Sequence, residues 1–355
     1  MTDRQEHDRD VVWAMDAQVG GDGTAALPRP GRLALPTRFR RPERPLTEEE
    51  LQRRHLRALR WGAPLADIGR QRLALTLLVL AGALALAIAL FGMSLTSDRY
   101  LLILLLPALV LRRGRVYLRD FGLFALLVFA YSELRGLAHI INAQPYYTPQ
   151  LNLDKWLFAG YVPTVELQKW FWTGSMQWYD HLLIDVANLH FIVPPLFAFL
   201  LWMKRRALFF RFASSMLVLS FSAALTFVLF PTAPPWAAGH QLLTPTVTQI
   251  TDHTFAAVPA SFSASKLIES NPYAAIPSLH GGYAMLCFIF VATLVWNRRW
   301  RWWAIVPAAF YPLALSFARV YTGDHYVVDL LAGYVYAVAA FLVVGWYWRR
   351  HDLPA

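Results

Sequence analysis

The sequence predicts an all-α polytopic membrane protein, a helical bundle of about eight spans. Three observations point there. Of 355 residues, 57% are hydrophobic and only 16% are charged, against roughly a quarter charged in soluble globular chains. The apolar residues gather into runs too long for a soluble core of this length. The basic residues fall at the ends of those runs. This pattern excludes a disordered, collagen-like or disulfide-stapled chain. Cys287 is the single cysteine, so no intramolecular disulfide forms and cysteine usage says nothing of compartment. A net charge of +10 would suggest nucleic-acid binding in a soluble protein. Here the ends of the apolar segments account for the charge, and no nucleic-acid partner is expected.

Residues 1–46 are polar and rich in Arg, Pro and Gly, and read as a disordered cytoplasmic tail without a cleavable signal peptide. Thr47-Glu48-Glu49-Glu50 fits a capping box. In the helix it would start, Leu51, Leu56 and Leu59 share one side, and Arg53, Arg54, Arg57 and Arg60 line much of the rest. Such a helix either lies on an anionic inner leaflet or is simply solvated. Together these stretches make a basic tail over 1–70.

Eight apolar segments follow: Arg72–Leu95, Tyr100–Leu111, Phe121–Ile141, Leu182–Met203, Leu208–Phe230, Leu279–Trp296, Trp303–Val320 and Tyr326–Trp348. Most approach the ~20 residues of a spanning helix, while the second is short and holds Pro107. The first three form an N-terminal transmembrane unit over 71–142, and the last five a second unit over 182–350. Between them, 143–181 carries Trp156, Trp170, Trp172 and Trp178, which predicts one or two interfacial helices on an aromatic belt. The Pro-, Thr-, Ser- and Ala-rich stretch 231–278 reads as an irregular cap.

Charge sets the expected orientation. Arg112, Arg113, Arg115 and Arg119 share one connection, and Lys204, Arg205, Arg206 and Arg211 another. Arg298, Arg299 and Arg301 share a third, and Arg349 and Arg350 follow the last span. All land on one side if eight spans start inside, so they read as topogenic. This predicts a multi-pass plasma-membrane protein with both termini cytoplasmic.

Ionisable groups beside membrane spans are costly and so suggest function. Two stretches on the predicted outer side carry them: Pro277-Ser278-Leu279-His280-Gly281-Gly282, and Arg319 through Gly323 and His325 to Asp329. Pro277 and Ser278 suit a helix start, with Ser278 as its cap. The free N–H groups of the first turn, including that of Gly281, then form an anion site. His325 and Asp329 are four apart and share a helix face. The carboxylate fixes the tautomer and leaves the other ring nitrogen free to attack. His280, from a separate helix, can protonate a departing oxygen. The planar fork of Arg319 suits two phosphate oxygens. Both imidazoles and the guanidinium are expected to converge on one phosphorus-sized space. A metal held by His280, His325 and Asp329 is disfavoured by the nearby Arg319, and no cofactor or metal is required.

The two stretches resemble the second and third signature motifs of the type 2 phosphatidic acid phosphatase superfamily, P-S-x-H and R-x5-H-x3-D. The resemblance covers about the C-terminal half of the chain. It implies a six-helix core, His325 as nucleophile oriented by Asp329, His280 as acid, and Ser278 and Arg319 on the phosphate. The chain departs from the family's usual pattern at Leu279 and Ala318, and the family's first motif, a Lys followed by Arg-Pro, is missing before the sixth segment. Instead Phe230-Pro231-Thr232-Ala233-Pro234-Pro235-Trp236 ends the fifth. That string is similar to the inositol phosphorylceramide synthase branch, whose members move a phosphoinositol head group between lipids. Lys266, Arg135 and His139 are the candidates for the missing phosphate-binding charge.

The implied partners are a lipid phosphate or phospholipid, a lipid or glycolipid acceptor if the reaction is a transfer, and the membrane. A polytopic lipid transporter or binding protein is the alternative, weakened by the absence of an inverted repeat. Arg135 and His139 share a face and point either into a catalytic cavity or between helices, whereas Glu133 cannot face Arg135. Asp185 and His190 read as structural, His181, His240 and His253 as surface groups, and Trp236 as either a wall of the lipid slot or an interfacial anchor.

Overall fold

In an apolar solvent the backbone must satisfy its own N–H and C=O groups, so each long apolar run folds as helix. The computed structural model describes residues 70–91, 97–142, 144–252, 271 and 273–351. The tail and its capping box, His253, Lys266 and the side chains of His139 and His240 lie outside the described residues. The helices are α1 (Arg70–Phe91), α2 (Ser97–Ile103), α3 (Leu105–Val110), α4 (Gly114–Ile141), α5 (Thr148–Leu157), α6 (Pro163–Phe171), α7 (Trp178–Lys204), α8 (Arg206–Leu229), α9 (Leu279–Val295), α10 (Arg301–Tyr321) and α11 (Val327–Arg350). Strand pairing among the described residues is limited to isolated bridges, Tyr146 with Thr232 and Thr232 with Ala274. The protein is therefore an all-α polytopic bundle.

Helices α4, α7, α8, α10 and α11 are long and apolar enough to cross a membrane, while α1, the α2–α3 pair and α9 are apolar but shorter. Among the described residues each apolar segment of the sequence is thus essentially helical, with one break. The second divides at Leu104 into α2 and α3. Pro107 explains it: its ring crowds the carbonyl four residues earlier, on Ile103, and it has no N–H to donate there. Outward-facing Leu123, Leu126, Val335 and Leu342 are more than half exposed. A surface so apolar belongs in lipid.

The core runs through the basic end of the bundle, where Phe121, Phe199, Trp202, Phe209 and Phe212 are fully buried together. Tyr117 stacks on Phe121, which stacks on Phe209, and Trp202 meets Phe121 edge-on. Below them Asp120 accepts two hydrogen bonds from Arg206, both at 2.6 Å, and one from Trp202 Nε1 at 2.9 Å. Arg206 is therefore more than a topogenic charge, because it ties α8 to α4 through a buried fork.

At the opposite end, Asn142, the 144–147 stretch and the proline run form one knot. Asn142 Nδ2 donates to Val228 O, and Tyr146 N to Pro231 O. Ile276 N donates to Thr232 Oγ1. Trp236 packs against the buried cluster of Leu151, Val162, Val165, Tyr326 and Val328, so it supports the turn before α11. The short helices α5 and α6 contribute to the same cluster, and Trp156, Trp170 and Trp178 stand more than 70% exposed beside it.

Two helices touch backbone to backbone. A Cβ on Gly282 would come 3.2 Å from the carbonyl of Gly333, and one on Gly333 would drive into the carbonyl of Ser278. Ser278 N also donates to Asp329 O at 2.8 Å. The start of α9 is thereby seated on the first two turns of α11. Gly333→Ala is expected to lower the detergent melting temperature by an overpacking cost of about 1–3 kcal/mol. Gly82→Ala on α1, where a Cβ meets nothing within 4 Å, is expected to leave melting unchanged or raise it slightly.

Candidate active site

The seat between α9 and α11 brings three helix ends together: the start of α9, the end of α10 and the start of α11. The turn from α10 to α11 is tight. Asp324 N and His325 N both donate to Arg319 O, at 3.1 and 3.3 Å. Gly323 has φ +84°, a conformation that L residues rarely adopt, and a Cβ there would lie 2.7 Å from Thr248 O. Only glycine fits, and the turn it allows delivers His325 to the mouth of α9.

His325 Nε2 lies 2.9 Å from His280 Nδ1. On its other side, His325 Nδ1 lies 3.4 Å from Asp329 Oδ2. That oxygen also accepts the N–H of Tyr326 at 3.0 Å, so Asp329 caps α11 as it orients the imidazole. With Nδ1–H directed at the carboxylate, Nε2 keeps its lone pair and accepts from His280 Nδ1–H. The two rings are in direct contact. The phosphorus-sized gap expected between them is absent, and a phosphoryl group in line with Nε2 requires the rings to part.

Arg319 is buried at 6% exposure and already committed. Its Nη1 pairs with Asp324 Oδ2 at 2.9 Å, and its Nη2 donates to Ala187 O at 3.2 Å. Asp324 is a member of the site that the sequence reading passed over. It also accepts from Thr251 and Thr322, at 3.0 and 2.8 Å. The free fork expected for Arg319 is thus half used, and Nε is the part left without a protein partner.

His190 is the larger omission. It is 6% exposed on α7, its ring centroid 4.0 Å from that of His280, and its Nδ1 is 3.4 Å from Arg319 Nη2. Asp185 faces outward, whereas His190 Nδ1 bonds the Ala187 carbonyl at 2.9 Å, as a structural group does, and its ring also meets His280. The available signal was Pro194-Pro195, which removes the donors for the carbonyls of His190 and Phe191 and marks an irregular turn of α7.

Ser278 stands at the N-cap of α9 but makes no side-chain cap hydrogen bond, so its expected capping role is corrected. Its Oγ is fully buried without a partner, as are Arg319 Nε, Tyr326 OH and Asp329 Oδ1. All four belong to the two stretches that carry His280 and His325, where unpartnered buried polar atoms are consistent with a site for a polar ligand. Gly281 lies in the first turn of α9, where a Cβ would come within 3.2 Å of both Leu330 and Tyr334, tighter than ordinary contact. Arg135 and Ser132 on α4 line a cavity together with His190 and His280. The rest of that cavity is mostly apolar, with Leu101, Phe124, Val128, Phe191, Pro195 and Met216 in its walls beside Tyr131 and Tyr283.

In this all-α membrane bundle two imidazoles touch, with a carboxylate behind one of them and an arginine close by, a donor set suited to a phosphate group. Residues 151–343, more than half of the chain, match the model of the PAP2 superfamily, and the chain belongs to that superfamily. Over 159 residues it is 26% identical to a phosphoinositol dihydroceramide synthase of Bacteroides thetaiotaomicron, covering 42% of this chain and 50% of that protein. The chain thus spans about half the length of that curated relative. No solved structure matches it.

Removing Asp324 would strand the buried Arg319 charge. Asp324→Ala is expected to cost about 3–5 kcal/mol in denaturant unfolding. Ser278→Ala removes a fully buried hydroxyl that has no protein partner and is expected to raise unfolding stability by about 1 kcal/mol.

Proposed function

We propose that the protein is a membrane phosphotransferase that cleaves a lipid phosphoester at the extracytoplasmic face through a phosphohistidine on His325. The observation that carries the reading is the His280–His325 contact at 2.9 Å with Asp329 behind His325. In the first half-reaction His325 Nε2 attacks phosphorus, the P–O bond to the leaving alcohol breaks, and His280 gives its proton to that oxygen. In the second, an acceptor hydroxyl gives its proton to His280, now neutral, its oxygen attacks phosphorus, and the P–N bond breaks to leave His325 neutral and His280 protonated again. Arg319, Ser278 and the first-turn N–H groups of α9, Gly281 among them, stabilise the charge on the phosphoryl oxygens. Arg135 supplies positive charge from the cavity wall.

Three features support transfer to a lipid over simple hydrolysis. The cavity beside His280 is mostly apolar, which suits an alkyl chain. The relative from Bacteroides thetaiotaomicron is a phosphoinositol dihydroceramide synthase. The proline run resembles that branch. These make a phosphoinositol-type head group and a lipid hydroxyl the favoured donor and acceptor chemistry. What supports the extracytoplasmic face is the position of the basic connections after α3, α7, α9 and α11, at the helix ends remote from His280 and His325.

The test is a panel of lipid phosphates and head-group phospholipids, read for both inorganic phosphate and new phospholipid. Wild-type protein is expected to yield new phospholipid and to trap label from a phosphorus-labelled donor. His325→Ala is expected to lose at least about 10³-fold in turnover and all trapping. His280→Ala is expected to lose less with a good leaving group, which needs no proton. Full turnover by His325→Ala on every substrate would overturn the mechanism.

A further inference from the structure

We propose that Asp154, on the short helix α5, is a positioning residue that holds the nucleophile-bearing start of α11 in register with His280. The inference rests on the functional reading above for what the register is used for, and on geometry for the rest.

Asp154 is fully buried. Its Oδ2 accepts the N–H of Val327 at 3.1 Å, and its Oδ1 that of Val328 at 3.0 Å. These are the first two residues of α11, whose N–H groups have no partner within the helix. Helices usually solve this with a cap from their own chain. Here a carboxylate 173 residues earlier in the sequence does it, leaving Asp329 to hold Tyr326 N and face His325.

Helix α6 grips the same turn from the next position. Gln168 Nε2 donates to Tyr321 O at 2.9 Å and to Thr248 O at 2.8 Å, while its Oε1 accepts from Thr248 N. Thr164 Oγ1 reaches His325 O at 3.5 Å. Tyr326 and Val328 are packed against Leu151, Val162 and Val165. The residues from Tyr321 to Val328 are therefore held on one side by a pair of helices that carries neither histidine.

The choice of carboxylate is informative. Burial pushes the Asp154 carboxyl up to about 6, and the nearby Asp329 adds to the rise against the pull of the two N–H groups. A second carboxylate at this helix start is thus costly when charged. It does what an amide cannot, by accepting two diverging N–H groups with two equivalent oxygens. Asp154→Asn keeps the volume and removes the buried charge, but presents an NH₂ to one of those N–H groups. The expected damage is therefore to register rather than to folding.

The test is Asp154→Asn in the full-length protein, read by hydrogen exchange at Val327 and Val328, by steady-state kinetics and by melting. Exchange at these two amides is expected to rise at least about tenfold, kcat to fall about 10–100-fold with KM nearly constant, and melting to stay close to wild type. Unchanged exchange, or unchanged kcat in an otherwise active protein, overturns the inference. Exchange needs no turnover, so a wild-type protein inert on every lipid phosphate would sink the phosphotransfer reading while the clamp is still judged by exchange. If Asp154→Asn does not fold, Asp154→Ser, with one small acceptor, is read the same way.

Discussion

The backbone contact between α9 and α11 is the constraint on which the rest depends. Gly282 and Gly333 allow the crossing, and the Ser278–Asp329 backbone hydrogen bond fixes its register. In a bilayer there is no hydrophobic drive between helices, so close approach at small residues is a main source of packing energy. Here that approach also decides the chemistry, because His280 and His325 meet only if the helix starts are level. A shift of one residue along α11 would turn His325 away by about 100°.

Around that contact the labour is divided by region. The helices matched by the superfamily carry both histidines, Asp329 and Arg319. The short helices α5 and α6 hold the turn from outside the bundle. Leu101 on α2 and Phe124, Val128, Ser132 and Arg135 on α4 precede the matched residues and supply one wall of the cavity. Arg319 shows how the site tolerates a buried cation: Asp324, the Ala187 carbonyl and His190 surround it, which offsets the desolvation that would otherwise exclude it.

Much of this was legible in the sequence, for physical reasons. A run of apolar residues can only be helix in lipid, so the segments were readable from length alone. Pro107 announced the one break. The i,i+4 pair of His325 and Asp329, with Pro277-Ser278 ahead of His280, carried its own spacing signal. What escaped lacks such a signal. His190 is one of three polar residues in an apolar run, with Asp185 and Asn188, and nothing local singles it out beyond the prolines that follow, while Asp324 sits in a turn where an acidic residue is ordinary. Asp154, in a polar helix of ten residues, looks solvated until α11 is placed beside it. Arg206 read as topogenic because its partner Asp120 is 86 residues away. Long-range pairing of this kind is invisible to local patterning.

The most direct measurement is a structure of the membrane-embedded protein with orthovanadate, which adopts the geometry of a phosphoryl group in transfer. The account predicts vanadium bonded to His325 Nε2, the His280 ring moved aside to face the apical oxygen, and Arg319 and Ser278 against the equatorial oxygens. Vanadate held elsewhere, with the two imidazoles still hydrogen-bonded to each other, would contradict it.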